Sequence, residues 1–340
     1  MKPYCINKEI LAKMSYYVAL NACTVGLSGL YNGKAGMSLA LFEASRVLAD
    51  EYLEEQASQL LQEALLVRTQ DIGFENGLSG IGYAVLYLLK NGFIEAEFED
   101  VFGKQALTIC QQQASKQQGQ CEEIGKRSLY PVIYFLHHYS KWTNKLEIRE
   151  LEDKLFRRMS EELLQQASRT NASAEEKTHW LILFKQYLSL SLYCHKLSLQ
   201  PDEWMSLYAY AHACESQEHM YHIGYDIRKV AEQAFIDDLQ AQARSHLEIS
   251  VSKFEWQKST LATQVDFLFR PLHEQPYRLK AEEMQMCFSN ADAEYWEDYL
   301  TTHIPASTFY AGYQYGVSRL ILWAVNDATG RKRNDVLRPL

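Results

Sequence analysis

Glycine, asparagine and lysine stand close together in the stretch GLYNGKAG, residues 29–36, a composition that could bind phosphate. A nucleotide-binding P-loop requires Gly, four further residues and then Gly-Lys-Ser/Thr, whose hydroxyl binds Mg²⁺. Here Ser28 stands where the first glycine belongs, and Ala35 replaces the hydroxyl-bearing residue. The sequence therefore excludes a P-loop at this position.

A second glycine group, Gly77, Gly80 and Gly82, stands before the apolar run YAVLYLL. A dinucleotide-binding fingerprint has the order G-x-G-x-x-G and follows a strand, whereas this order is G-x-x-G-x-G with no strand predicted before it. Glycines at the start of a helix favour close approach of another segment and an unhindered first turn. Anion binding at the helix N-terminus is the alternative.

Four residues of metal-binding type cluster in AHACESQEHMYHIGYD, namely His212, Cys214, His219 and His222. Their spacing would align the histidines on one face of an unbroken helix. The polar residues before His219 and the glycine at 224 favour a loop between helices, with solvated histidines. His137 and His138 lie in an apolar segment, and we expect one of them to face the core with its hydrogen bond satisfied.

The overall balance of residues excludes several classes of protein. Lys and Arg number 34 against 43 Asp and Glu, giving a formal net charge of −9, so nucleic acid is not an expected partner. The N-terminal residues lack the apolar core of a signal peptide, and no run approaches 18 apolar residues, so we expect no membrane partner and a cytoplasmic location. Seven scattered cysteines without a CxxC pair suit reduced thiols.

Apolar residues recur with helical spacing along most of the chain, which predicts an all-α fold. Strongly apolar helices alternate with amphipathic ones, as an inner layer covered by an outer layer would require. Leu247, Ile249 and Val251 also fit a strand, which is the minor alternative. No Gly/Ser-rich or Pro-rich linker interrupts the chain, so we predict a single domain over residues 1–340.

The glycine motif is repeated. LSGLYNGKAGMSLALFEA and DIGFENGLSGIGYAVLYL align at an offset of 44 residues, a length typical of paired-helix repeats. A third, degenerate copy contains Gly312 and Gly316. Apolar helices near Tyr130, Thr178 and His222, and a further one at residues 261–269, bring the predicted number of inner helices to about seven. The structural glycines of the three copies are Gly29, Gly33, Gly36, Gly77, Gly80, Gly82, Gly312 and Gly316.

These motifs resemble the lanthionine synthetase C-like (LanC-like) family, particularly its members in Bacteroidetes. The resemblance is strongest over residues 26–93, is weaker over 306–326 and concerns only architecture in between. It implies an α/α toroid of seven inner and seven outer helices. It also implies a cytoplasmic protein that acts on, or binds, ribosomally made peptides that are later modified.

Ring-closing members of that family hold zinc with one cysteine and, further along the chain, a Cys-His pair in a CHG motif, and the zinc activates a substrate thiol. The one Cys-His pair here is Cys194-His195, which no glycine follows. No matching upstream cysteine is present in the expected context. The resemblance therefore implies a divergent member without the usual zinc ligands. No cofactor is expected, and zinc at Cys194 and His195 is the alternative.

In a toroid, the loops that precede the inner helices converge on a central cavity, where acids and tyrosines could act on a ligand. The candidate cavity residues are Glu75, His222, Asp226 and Tyr313. Three functions remain open from the sequence. The first is a zinc-free, non-cyclising protein that binds a peptide or a maturation partner. The second is a zinc-dependent thioether cyclase, and the third is a carbohydrate-active toroid that uses acids such as Glu75.

Overall fold

A computed structural model of the chain describes residues 8–115, 130–169, 172–214, 217–252, 298–299, 302–303, 311–313 and 316–329. All regular secondary structure in these ranges is helical, so the predicted all-α class is confirmed. The first six helices are α1 (Lys8–Ala22), α2 (Lys34–Leu48), α3 (Glu51–Leu66), α4 (Leu78–Lys90), α5 (Phe98–Ser115) and α6 (Val132–Thr143). The other six are α7 (Leu146–Ala167), α8 (Ala174–Cys194), α9 (Pro201–Ala213), α10 (Gln217–Ala234), α11 (Asp237–Ser252) and α12 (Val317–Thr329).

The helices form two compact units. The first unit combines α1 to α5 with α12, and the second contains α6 to α11. None of the described helices is long and apolar enough to cross a membrane.

In the first unit, α2 is a central helix, with contacts to α1, α3, α4 and α12. Every residue of α2 from Ala35 to Ser45 is buried, and α4 is buried from Leu78 to Leu88. By contrast, α3 buries only one stripe, which consists of Leu53, Ala57, Leu60, Leu61 and Ala64. The chain therefore forms hairpins in which a buried helix is followed by a half-exposed one, as the apolar pattern predicts.

The second unit repeats this layering. Helix α8 packs against both α6 and α10, while α7 covers α6 and α8 and α11 covers α10. Local signals fix the helix starts. Ser173 and Glu176 form a reciprocal capping box at the start of α8, and Pro201 occupies the first turn of α9.

Two predictions from the sequence were wrong here. Leu247, Ile249 and Val251 lie in α11, so the strand alternative fails. The loop expected around His219 is also wrong, since α10 begins at Gln217 and contains both His219 and His222. Gly224, taken as a loop signal, lies inside α10, where an added Cβ would come within 3.2 Å of Leu247. The helix predicted at residues 261–269 lies outside the described residues.

Candidate functional site

The glycine motifs meet at one junction in the first unit. The amide of Tyr31 donates a hydrogen bond to the carbonyl of Glu75 over 2.8 Å, and the amide of Tyr313 donates to the carbonyl of Tyr31 over 2.7 Å. The loops before α2, α4 and α12 are thus joined through their main chains. We call this the loop junction, defined by residues 27–33, 71–77 and 311–313.

The glycines of the loop junction lie where other backbone approaches closely. A Cβ at Gly80 would lie 2.0 Å from the carbonyl oxygen of Phe74 and 2.8 Å from Cβ of Leu30. A Cβ at Gly36 would lie 1.8 Å from the carbonyl oxygen of Leu30 and 2.8 Å from Cβ of Tyr313. Real Cβ atoms do not make such contacts, so these positions admit only glycine without a backbone shift.

The remaining motif glycines are packed in the same manner. An added Cβ at Gly33 would lie 2.6 Å or less from backbone atoms of Gly29. The same holds for a Cβ at Gly77 relative to Gly73, and for a Cβ at Gly29 relative to Asn76. Gly82, Gly312 and Gly316 are buried.

The structure also sets the alignment of the degenerate third motif. The hydroxyl of Ser79 donates to the carbonyl of Ile72, and the hydroxyl of Ser318 donates to the carbonyl of Ala311, both over 2.5 Å and seven residues. Arg319 therefore stands where the other two motifs have Gly36 and Gly80. It is buried, and burial lowers the pKa of its guanidinium to about 9 although Tyr31 opposes the shift.

Aromatic rings fill the loop junction. The ring of Tyr31 stacks on Tyr313 and meets Phe74 edge-on, with centroids 6.1 Å and 6.2 Å away, and Phe74 meets Tyr83 at 5.3 Å. All four rings are buried. Tyr313, a predicted cavity residue, is therefore part of the core of this junction, and burial raises the pKa of its hydroxyl well above the ordinary value.

Two polar atoms at the junction lack partners. Oδ1 of Asn32 and Oδ1 of Asn76 are buried acceptors with no hydrogen bond among the described residues. These asparagines occupy the same position in consecutive motifs. A buried acceptor without a donor costs free energy, so these two atoms of one junction mark a place where N–H groups of a ligand would be stabilising.

A second group of functional side chains lies in the second unit. His137 of α6, Glu152 of α7 and Cys194 at the end of α8 are all buried and place one potential ligand atom each within 4.8 Å of one another. Nδ1 of His137 donates to Oε1 of Glu152 over 3.0 Å, and Nζ of Lys196 lies 2.8 Å from the same oxygen. We call these four residues the buried cluster.

The charges of the buried cluster are set by their neighbours. Burial alone would raise the pKa of Glu152, but hydrogen bonds from His137 and Lys196 outweigh burial and lower it. Burial, followed by the charge of Glu152, raises the pKa of the Cys194 thiol. Without another cation the cluster therefore holds a carboxylate, an ammonium and a neutral thiol.

The end of α8 aims Lys196 at the cluster. His195 adopts the left-handed conformation at φ 53°, and the amides of His195 and Lys196 both donate to the carbonyl of Ser191. This turn leaves the His195 side chain exposed while Lys196 returns towards α7. Cys194 of the predicted zinc pair thus lies in the cluster, and His195 does not.

The other predicted residues lie apart from the cluster. Asp226 is buried on α10 and accepts a hydrogen bond from Ser189 of α8 at 3.2 Å, while Glu75 belongs to the first unit. The rings of His212 and His246 of α11 pack together in a tilted arrangement, with centroids 4.1 Å apart, and His222 lies on α10. His137 faces the core with its hydrogen bond made, as expected for one residue of the histidine pair.

Comparison with known families and with curated proteins gives no match. The LanC-like resemblance therefore rests on the motifs themselves.

Glu152 and Lys196 were not predicted as site residues. Glu152 is one of several charged residues in the amphipathic segment LEIRELEDKLFRR. Its spacing differs from that of the others only because it lies on the buried stripe with Ile148 and Leu155. A charged residue on the apolar stripe of a helix is the signal that could have found it.

Proposed function

We propose that the chain is a divergent LanC-like α/α toroid that binds a peptide at its loop junction and does not itself close thioether rings. The observation that carries this proposal is the repeated stacking between motifs. Leu30 of the first motif packs on Gly80 of the second, and Tyr313 of the third packs in the same way on Gly36 of the first.

This repetition supports a closed ring. Helix α12, the last of the described helices, also packs against α1 and α2, the first two. In a linear array of hairpins the last repeat would contact only its predecessor. A ring places all motif loops at one end, and the resemblance associates that end with peptide substrates.

The loop junction has groups suited to a peptide main chain. The unpartnered Oδ1 atoms of Asn32 and Asn76 can accept hydrogen bonds from peptide N–H groups, while the half-buried Glu75 adds a negative charge beside them. The buried aromatic rings keep the loops in place, which reduces the ordering cost of binding.

Binding without ring closure is favoured over the cyclase alternative. A cyclase needs an open metal position that a substrate thiol can reach. Cys194 is buried, its metal-binding neighbours are buried as well, and His195 is exposed and directed elsewhere. Asp226 does not fit the carbohydrate-active alternative, because its carboxyl group is buried and accepts a hydrogen bond from Ser189.

The test begins with the short peptide gene expected beside this one. Its product, labelled with a fluorophore, should bind the full chain in an anisotropy titration. Asn32→Ala and Asn76→Ala should each weaken binding about tenfold, whereas Asn91→Ala, at the opposite end of α4, should not. Equal binding by all variants, or no binding at all, would overturn the proposal.

Ring closure is tested separately. A synthetic peptide containing dehydroalanine and one cysteine is incubated with the chain and Zn²⁺, and its free thiol is then alkylated and detected by mass spectrometry. We expect the thiol to remain fully reactive. Its consumption, relative to a sample without protein, would support the cyclase instead.

A further inference from the structure

The buried cluster combines three metal-binding side chains from three different helices. An imidazole, a carboxylate and a thiol are the ligand types that zinc-class cations prefer. In a tetrahedral zinc site, neighbouring ligand atoms are about 3.5 Å apart. The potential ligand atoms of His137, Glu152 and Cys194 lie within 4.8 Å of one another, so small side-chain rotations would bring them into coordination.

A cation already occupies this place. The ammonium of Lys196 contacts Oε1 of Glu152 at 2.8 Å and Oδ1 of the exposed Asp153 at 2.6 Å. Its side chain is 28% exposed, whereas that of Glu152 is 2% exposed. Lys196 can therefore leave Glu152 and keep Asp153 as its partner, which releases Oε1 of Glu152 from the ammonium.

We propose that His137, Glu152 and Cys194 bind a divalent transition-metal cation of the zinc class, which displaces the ammonium of Lys196 from Glu152. On binding, the Cys194 thiol loses its proton to solvent and an S–metal bond forms. The divalent charge is then balanced by one carboxylate and one thiolate, and His137 contributes a neutral nitrogen. The proposal does not depend on the proposed function.

The alternative is a metal-free ion-pair cluster, and the place of Cys194 distinguishes the two. An ion-pair cluster needs His137, Glu152 and Lys196 but not the sulfur, which nevertheless lies within 4.8 Å of the other two potential ligand atoms. A metal supplies the positive charge that stabilises the thiolate. The site would link α6, α7 and the end of α8, so metal binding is expected to stabilise the second unit.

The experiment uses the full chain, purified without a histidine tag and treated with EDTA, and titrates it with Co²⁺ as a spectroscopic substitute for Zn²⁺. We expect one equivalent of Co²⁺ to produce a thiolate-to-metal charge-transfer band and the intense visible bands of tetrahedral coordination. Zn²⁺ should displace Co²⁺ and raise Tm, because a ligand that binds only the folded state stabilises it.

Matched variants assign the ligands. Cys194→Ser and His137→Gln should weaken Co²⁺ binding at least about 100-fold. Cys23→Ser, at an exposed cysteine, and His195→Asn, beside the proposed ligand, should leave the spectrum and affinity unchanged. Loss of the band in Cys23→Ser or His195→Asn, but not in Cys194→Ser, would overturn the assignment.

A variant of Lys196 keeps the test informative if the ligand variants fail to fold. Lys196→Met removes the competing ammonium and should tighten Co²⁺ binding about tenfold or more. In a metal-free ion-pair cluster the same change would only destabilise the protein. Absence of a charge-transfer band in both the unmodified chain and Lys196→Met overturns the proposal.

Discussion

The amide of Tyr313 donates a hydrogen bond to the carbonyl of Tyr31 at 2.7 Å, and their rings stack with planes 25° apart. This contact joins the loop before α12 to the loop before α2. The first unit therefore includes residues from the C-terminal third of the chain, and α2 contacts both α4 and α12. Contacts between segments so distant in sequence carry a large loop-closure cost, which close packing must offset.

Substitution of Gly80 tests that packing. We expect Gly80→Ala to lower the free energy of unfolding by about 3 kcal/mol, because its Cβ would overlap the Phe74 carbonyl and press on Leu30. The measurement is urea denaturation followed by circular dichroism.

Gly103→Ala is the matched control for this change. Gly103 is also helical, but a Cβ there would be 3.5 Å from Cβ of Glu99, an ordinary contact. Alanine should therefore raise stability by about 1 kcal/mol through its higher helix propensity. Equal effects of the two substitutions would show that helix propensity, not close packing, explains Gly80.

A second prediction concerns two residues that are one repeat apart on neighbouring buried helices. The hydroxyl of Tyr87 on α4 donates to the carboxyl group of Glu43 on α2, which is 4% exposed. Tyr87→Phe should lower the free energy of unfolding by about 1.5 kcal/mol through loss of this buried hydrogen bond.

Tyr52→Phe is the control, because Tyr52 is 50% exposed. Removal of its hydroxyl should change the free energy of unfolding by less than about 0.5 kcal/mol. The double variant Tyr87→Phe, Glu43→Gln tests the pair directly. If the two substitutions are additive, the hydrogen bond does not couple α2 and α4.

The sequence predicts the elements well where apolar periodicity is strong. The predicted alternation of strongly apolar and amphipathic helices is confirmed by the buried α2 and α4 and the half-exposed α3. The loop predicted around His219 was wrong, since one glycine and a few polar residues do not stop a helix whose face packs on α11.

The candidate site was predicted only in part, for a physical reason. Cys194 attracted notice because of its neighbour His195, yet its partners His137 and Glu152 are distant in sequence. Their proximity results from packing of α6 and α8 against α7, which no local pattern encodes. The repeated asparagines could be seen in the aligned motifs, but their lack of donors could not.

A third prediction concerns pH and the contacting pair His212 and His246. Burial, and then the charge of His212, lower the pKa of His246 below 6.5, and the hydroxyl of Tyr208 lies 2.6 Å from its Nδ1. The unfolded chain therefore binds a proton more readily than the folded one. Stability should be unaffected above pH 6.5 and should fall as the pH decreases from 6.5 through the pKa of the folded state.

His246→Gln should reduce this loss of stability on the acid side, and His212→Gln should reduce it to a smaller extent. The measurement is Tm between pH 7.5 and 5, together with an NMR titration of the imidazole of His246. A titration midpoint for His246 at 6.5 or higher would contradict the prediction.

The last prediction concerns the end of α8. His195 adopts the left-handed conformation at φ 53°, which costs a residue with a Cβ about 1 kcal/mol and costs glycine little. His195→Gly should therefore raise the free energy of unfolding by about 0.5 kcal/mol, after allowance for the greater freedom of glycine in the unfolded chain. Ala49→Gly, at the equivalent cap of α2 with φ 55°, should give a similar gain in the first unit. A loss of stability in His195→Gly alone would mean that the exposed imidazole makes a stabilising contact.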